Sequence, residues 1–182
     1  MKGLSYKLPI VLFVMMALVF AIGLQYDPHK LPSALKGKPA PLFRLTTLRT
    51  EHETFTRNDL LDHVNIVNVW ATWCETCRYE TTVLLDIAKM KDVKLYGIDY
   101  KDDKVAATAW LAKYGNPFVK SGFDSDGTVA LEWGVYGTPE TFIVDRYGVI
   151  RYRHTGPLTD DVWRRQLRPM VTALIQAKGE LA

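Results

Sequence analysis

Hydrophobic and polar positions change their period several times along the chain, and each change predicts an element. From Leu8 to Leu24 no charged side chain interrupts the run. With Gln25 and Tyr26 it approaches the roughly 20 residues needed to span a bilayer. Residues 27–38 are rich in Pro, Lys and small side chains, the composition of an extended linker. Alternation then begins, with Leu42, Arg44 and Thr46 on one face of a strand and Phe43, Leu45 and Thr47 on the other. Glu51 to Thr56 is predicted to pair back, giving an N-terminal β-hairpin. Asn58 to Leu61 reads as one capped helical turn. Val64 to Trp70 is β-branched and mostly apolar, as a buried central strand should be.

Thr76 to Met90 repeats apolar residues at a helical spacing, with Val83, Leu84, Ile87, Ala88 and Met90. Val93 to Tyr100 is the next strand. Lys104 to Tyr114 is a second helix, closed by Gly115. A short strand, Phe118 to Phe123, and a short helix, Thr128 to Trp133, follow. Glu140 to Asp145 and Val149 to His154 form a hairpin around Arg146-Tyr147-Gly148. Thr159 caps the last helix, with Asp160 and Asp161 in its first turn, and Pro169 should kink it or end its first half. The order is β-β, then β-α-β-α-β-α, then hairpin and helix. That is an α/β layered domain with helices on both faces.

Composition adds little to this picture. The 182 residues are 48% hydrophobic and 24% charged, enough for one globular domain with extras. A net charge of +3, with no basic stretch interleaved with aromatics, gives no nucleic-acid signature. Lys2 and Lys7 precede the apolar run, while Lys30, Lys36 and Lys38 follow it, so charge bias alone sets its orientation weakly. Ala21-Ile22-Gly23 would serve as a signal-peptide cleavage site, but the run is longer than most signal cores. The expected organisation is therefore a cytoplasmic tail at 1–7, an uncleaved transmembrane anchor at 8–26, a linker at 27–38 and the folded domain at 39–178. The signal-like start places that domain outside the cytoplasm.

The chemistry lies in one stretch, Trp73-Cys74-Glu75-Thr76-Cys77-Arg78. It holds the chain's two cysteines as C-x-x-C, between a predicted strand and a predicted helix. A thiol at a helix start faces the unpaired N–H groups of the first turn and the positive end of the helix dipole, both of which favour the thiolate. Thiolate is the form that attacks disulfides. A structural zinc site needs four ligands; no second C-x-x-C exists, and His29, His52, His63 and His154 are scattered. Haem attachment needs C-x-x-C-H, and Arg78 holds the fifth place. A purely structural disulfide closing so small a loop would constrain the unfolded chain very little. The motif therefore predicts a thiol–disulfide oxidoreductase that needs no metal and no cofactor.

With Gly137-Thr138-Pro139 standing just before a strand, Trp73-Cys74-x-x-Cys77 resembles the active site of the thioredoxin fold. More narrowly, the chain resembles the CcmG/DsbE family, membrane-anchored thioredoxin-like proteins of cytochrome c maturation. The resemblance runs through roughly residues 36–175 and includes the anchor. It is carried by Asn68-Val69-Trp70-Ala71-Thr72-Trp73-Cys74, Cys77-Arg78-x-Glu80, Asp99 to Asp103, Gly115-Asn116-Pro117, Phe123-Asp124, Gly134 to Phe142 and Ile150 to His154. It implies a central mixed sheet flanked by helices with an extra N-terminal β-hairpin, and a cis Pro139 facing the dithiol. It implies Cys74 as nucleophile, Cys77 as resolving thiol, and a redox-active Cys74–Cys77 disulfide. Trp73, Tyr136, Thr138 and Pro139 would meet the partner.

The implied setting is the bacterial inner membrane, single-pass, with the domain in the periplasm. The implied partner is apocytochrome c, whose C-x-x-C-H must be reduced before haem attachment, or a haem-ligation (haem lyase) protein. The implied electron donor is a membrane reductase of the DsbD/CcdA type.

Two positions depart from pattern. Glu75 stands where the family usually has proline, and a carboxylate beside Cys74 should oppose its ionisation. Asn68 stands where thioredoxin has a buried proton-handling Asp, so that task is expected to pass to Glu80, on the helix face of Cys77, and to Glu140, beside Pro139. The competing readings are a DsbA-like oxidase, a general periplasmic disulfide reductase and a non-catalytic scaffold of the haem lyase complex.

Overall fold

The computed structural model describes residues 7–24 and 35–177. The chain divides into two compact units, Met1–Pro32 and Ser33–Ala182. In the first, helix α1 covers Lys7–Gly23, 17 residues with none buried. Among the described residues no helix is long and apolar enough to cross a membrane. At 1.5 Å per residue α1 is about 25 Å long, against the ~30 Å hydrocarbon thickness of a typical bilayer. The last two residues of the expected anchor, Gln25 and Tyr26, lie outside the described residues. So do residues 1–6 of the expected tail, residues 27–34 of the linker and residue 178.

The second unit opens with the predicted hairpin, trimmed to β1 (Arg44–Thr46) and β2 (Thr54–Thr56). A 3-10 turn, Arg57–Leu60, follows; the Thr56 backbone N–H donates to Asp59 Oδ2 at 2.8 Å. Then come β3 (Val64–Trp70), α2 (Glu75–Ile87), β4 (Val93–Tyr100), α3 (Lys104–Tyr114), β5 (Lys120–Asp124), α4 (Thr128–Glu132), β6 (Glu140–Val144) and β7 (Ile150–Thr155). The sheet order is β5-β4-β3-β6-β7. β3, β4 and β5 run parallel, while β6 is antiparallel to both β3 and β7. This is the mixed sheet expected of a thioredoxin-like fold.

All seven residues of β3 are buried, which is why the strand reads as a continuous apolar run. Its alternate side chains feed two cores. Val64, Ile66 and Trp70 join Cys74, Cys77, Leu84 and Ile87 from the α2 side, with Ala107 and Leu111 of α3 and Trp163, Leu167 and Val171 near the C-terminus. Val67 and Val69 join Leu45, Phe55, Val129, Trp133 and Phe142 on the other face. That second face is covered by the hairpin and α4. Gly97 lets Trp70 sit flat on β4: a Cβ there would stand 2.8 Å from the Trp70 indole nitrogen and 2.7 Å from Ser121 Oγ.

The last helical stretch departs from expectation in an instructive way. It begins as α5 (Asp160–Val162), capped by Thr159, widens into a π-turn at Trp163–Leu167 and continues as α6 (Arg168–Gln176). The Arg168 N–H reaches back five residues to the Trp163 carbonyl. Pro169 has no N–H to donate and would press on a carbonyl four residues earlier. The wider turn just before it changes the hydrogen-bond register, so the helix runs on instead of ending.

Candidate dithiol site

Cys74 is the N-cap residue of α2, with extended backbone angles, and its N–H donates to the Ala71 carbonyl at 3.3 Å. Its sulfur accepts the Cys77 N–H at 3.1 Å, the bond an N-cap oxygen would ordinarily receive, and lies 3.4 Å from Thr76 Oγ1. Cys74 and Cys77 form a disulfide with their Cα atoms 5.4 Å apart. The two residues are not equally sheltered: Cys74 is 5% exposed and Cys77 1%.

The turn that delivers Cys74 is fixed from the segment that follows β4. Asp102 accepts from the Thr72 backbone N–H at 2.5 Å and from the Thr72 hydroxyl at 2.6 Å. Trp73 leaves most of its ring in solvent while its indole N–H donates to the Lys101 carbonyl at 3.0 Å. Beside Cys74 an open cavity of about 340 Å³ is lined by Trp73, Arg78, Trp110 and Tyr114, with Thr72 and Glu75. Glu75 is the first residue of α2, and its carboxylate accepts from the Tyr79 hydroxyl at 3.4 Å.

Behind this turn lies Asp99, fully buried, with no donor to either side-chain oxygen. Burial pushes its carboxyl up to about 9, helped by the neighbouring carboxylates of Asp102, Asp124 and Asp103. Asp99 therefore carries a proton at neutral pH.

Glu80 lies three residues after Cys77 and is buried. Asn68 Nδ2 donates to its Oε1 at 2.9 Å, and the Leu158 N–H donates to its Oε2 at 2.7 Å. Asn68 also donates to Thr141 Oγ1 at 3.2 Å. Burial lifts the Glu80 carboxyl to about 7, and the two hydrogen bonds restrain that rise. A group poised there can take up or release a proton at working pH.

Glu140 does not join it. Along β6, Thr141 faces Asn68, so Glu140 points to the other side of the sheet with Phe142 and Val144. There Arg153 grips it, Nε to Oε2 at 2.6 Å and Nη2 to Oε1 at 2.8 Å. The expectation that Glu140 approaches the dithiol is thus corrected: strand alternation turns it away, and a buried cation claims both oxygens. The Thr138–Pro139 peptide bond is cis, as the fold resemblance implied. Pro139 is buried and its carbonyl accepts the Gly156 N–H at 2.9 Å. Thr138 Oγ1 is buried without a hydrogen-bond partner, while Tyr136 is 66% exposed.

Sequence reasoning passed over three groups. Arg153 looked like one more polar residue of an alternating strand, although Glu140 on an inner strand demanded a cation. Asp99 lies within a mostly apolar strand, where a carboxyl is costly, and that was its signal. The Leu158 N–H, a backbone group, leaves no trace in residue identity.

A mixed sheet with a C-x-x-C at the N-cap of its first long helix and a cis-proline loop defines a thioredoxin-like dithiol–disulfide protein. The Redoxin family model matches residues 35–171. The thiol:disulfide interchange protein DsbE of Allochromatium vinosum is 43% identical over 164 residues, covering 90% of this chain and 91% of that one. DsbE of Yersinia pestis is 45% identical over 169 residues, covering 90% and 89%. Among solved structures, MTB dsbF, in mixed oxidised and reduced forms, superposes with a TM-score of 0.64 at 28% identity, covering 80% of this chain and 99% of that one. The chain belongs to the DsbE family of thiol:disulfide interchange proteins.

Proposed function

We propose that this protein reduces disulfides in cytochrome c biogenesis, acting on apocytochrome c or on a haem-ligation protein before haem is attached. The observation that carries the reading is Cys74 at the N-cap of α2, more exposed than Cys77 and with its sulfur receiving the Cys77 N–H. In the dithiol form Cys74 thiolate attacks a partner disulfide, forming a mixed disulfide and releasing one partner thiolate. Cys77, deprotonated, then attacks the Cys74 sulfur. The second partner thiol leaves reduced, and the Cys74–Cys77 disulfide forms. Two electrons and two protons from a membrane reductase of the DsbD/CcdA type restore the dithiol.

Glu80 is the proton acceptor for Cys77, through its position one helical turn on and its carboxyl poised near neutrality. Trp73 and Tyr136 flank the partner, and the Val135–Thr138 backbone before cis-Pro139 offers hydrogen bonds to an extended partner strand. The apolar segment 8–26 is the anchor in the inner membrane, with residues 1–7 cytoplasmic, 27–38 as tether and the domain at 39–178 in the periplasm.

Trapping tests this reading. Cys77→Ser, mixed with an oxidised C-x-x-C-H peptide, should accumulate a mixed disulfide through Cys74 that dithiothreitol releases. Adducts with small disulfides but none with the peptide would contradict it.

A further inference from the structure

Strands β6 and β7, beside the loop that ends at the cis peptide bond, carry a charge pair that the thiol chemistry does not use. The side chains of Glu140 and Arg153 are 0% and 5% exposed. Two guanidinium nitrogens hold the two carboxylate oxygens, at 2.6 and 2.8 Å. The third, Nη1, donates to the Tyr136 hydroxyl at 3.1 Å. The guanidinium also lies over the Tyr136 ring, 4.3 Å from its centroid. Glu140 Oε1 accepts the Tyr136 backbone N–H at 3.3 Å. One buried ion pair therefore holds Tyr136 at both ends, backbone and phenol, while most of the residue stays in solvent.

Two charges withdrawn from water are a poor way to stabilise a core, since apolar residues of similar volume often do as well or better. Such a pair does fix geometry. A guanidinium is a planar fork that can bridge a carboxylate and a hydroxyl while stacking on a ring; a lysine ammonium is a point charge that cannot. An exposed aromatic side chain ordinarily loses rotamer freedom when a partner lands on it, and that loss weakens binding. Here the Arg153 guanidinium already packs on the ring and binds its hydroxyl.

We infer that Arg153, backed by Glu140, is a positioning residue that presents the Tyr136 ring to the partner polypeptide. The inference rests on the proposed reading in which Tyr136 meets the partner, and it names what sets that contact. Arg153 touches neither sulfur nor substrate.

The test compares an oxidised C-x-x-C-H peptide with hydroxyethyl disulfide, which has no polypeptide to lay on Tyr136. Dithiothreitol serves as electron donor, and the full chain is used in detergent. Arg153→Met alone would strand a buried carboxylate and is expected to unfold. The informative variant is therefore the pair Glu140→Gln with Arg153→Met, which removes both charges and keeps an acceptor for the Tyr136 N–H. It should raise KM for the peptide roughly 3- to 10-fold. The kcat and the Cys74–Cys77 potential should stay close to wild type. Arg153→Lys should behave likewise. Tyr136→Ala should raise KM by a similar factor, and adding it to the pair should raise KM no further.

An unchanged KM in the folded paired variant, with Tyr136→Ala still impaired, would overturn the inference alone. Equal losses with hydroxyethyl disulfide would also overturn it, since the effect would then lie in the dithiol. An unchanged KM in Tyr136→Ala would overturn the partner reading, and this inference with it.

Discussion

The Asn68 amide donates to the Glu80 carboxyl across 2.9 Å, and neither residue is more than 1% exposed. An amide cannot take a proton at neutral pH, so the proton capacity beneath the dithiol resides on the helix rather than on the strand. Glu80 is next to Cys77 along the helix face, and its other oxygen is tied to the Leu158 backbone. The strand, the active-site helix and the segment entering the last helix meet at this one carboxyl.

Stability should report that arrangement. In the native state the Glu80 carboxyl is lifted by burial from its ordinary value of 4.5 to about 7. Between those values the native protein holds a proton that the unfolded chain has released, so stability falls as pH rises through that window. Glu80→Gln removes the titration. Relative to wild type the variant should gain about 1–3 kcal/mol between pH 5 and pH 8. Urea midpoints at the two pH values measure it, and parallel shifts would count against the assignment. In single turnover, the resolving attack by Cys77 should also lose the limb of its pH profile near 7.

Asp99 makes the same prediction over a wider window. Burial keeps its carboxyl protonated up to about 9, so ionisation, not protonation, destabilises the fold, and wild type should weaken steadily from pH 5 to pH 9. Asp99→Asn keeps the shape of the side chain and has no charge to bury. It should be no less stable than wild type at pH 5 and more stable by at least about 1 kcal/mol at pH 9.

Asp102 holds the turn before Cys74 through both the N–H and the hydroxyl of Thr72. Thr72→Val keeps the shape and deletes the hydroxyl bond. Bonds to a charged acceptor contribute about 1.5–3 kcal/mol when buried, and this one is part-exposed, so a loss of about 1 kcal/mol is expected. Alkylation of reduced Cys74 should also change rate, because its turn loosens. An unaltered rate with lowered stability would separate the turn from the thiol.

Glu75 occupies the first position of α2, where the first-turn N–H groups have no helical partner and proline fits without loss. Glu75→Pro removes a carboxylate next to Cys74. The Cys74 thiol should become more acidic by roughly 0.5–1 unit, and the disulfide easier to reduce. Thiolate absorbance against pH and equilibration with glutathione measure the two. No change in either would dismiss the idea that Glu75 tunes the couple.

Much of this fold was legible because its signals are local. β3 has no alternation because both its faces are covered, and Val64–Trp70 matched expectation at both ends. Lys104–Tyr114 and Val93–Tyr100 did so too. The hairpin strands came out shorter, since the pairing that ends them depends on what they dock against: Leu45 packs where Gly122 leaves room on β5. The π-turn before Pro169 was not legible, because residue identities give the breach but not its repair. At the site, the dithiol and the cis proline were readable from motif. The fate of Glu140 was not. Glu80, one turn after Cys77, and Glu140, just after Pro139, looked equivalent, and only strand parity separates Glu80, beneath Cys77, from Glu140, bound to Arg153 across the sheet.

The most direct test is the resting redox state of Cys74 and Cys77 in intact cells, by acid quench and thiol alkylation, with and without the membrane electron donor. A reductant fed from the membrane should be mostly dithiol, turning to disulfide when the donor is removed. A pair that stays oxidised whether or not the donor is present would contradict the account and point to a disulfide-forming oxidase.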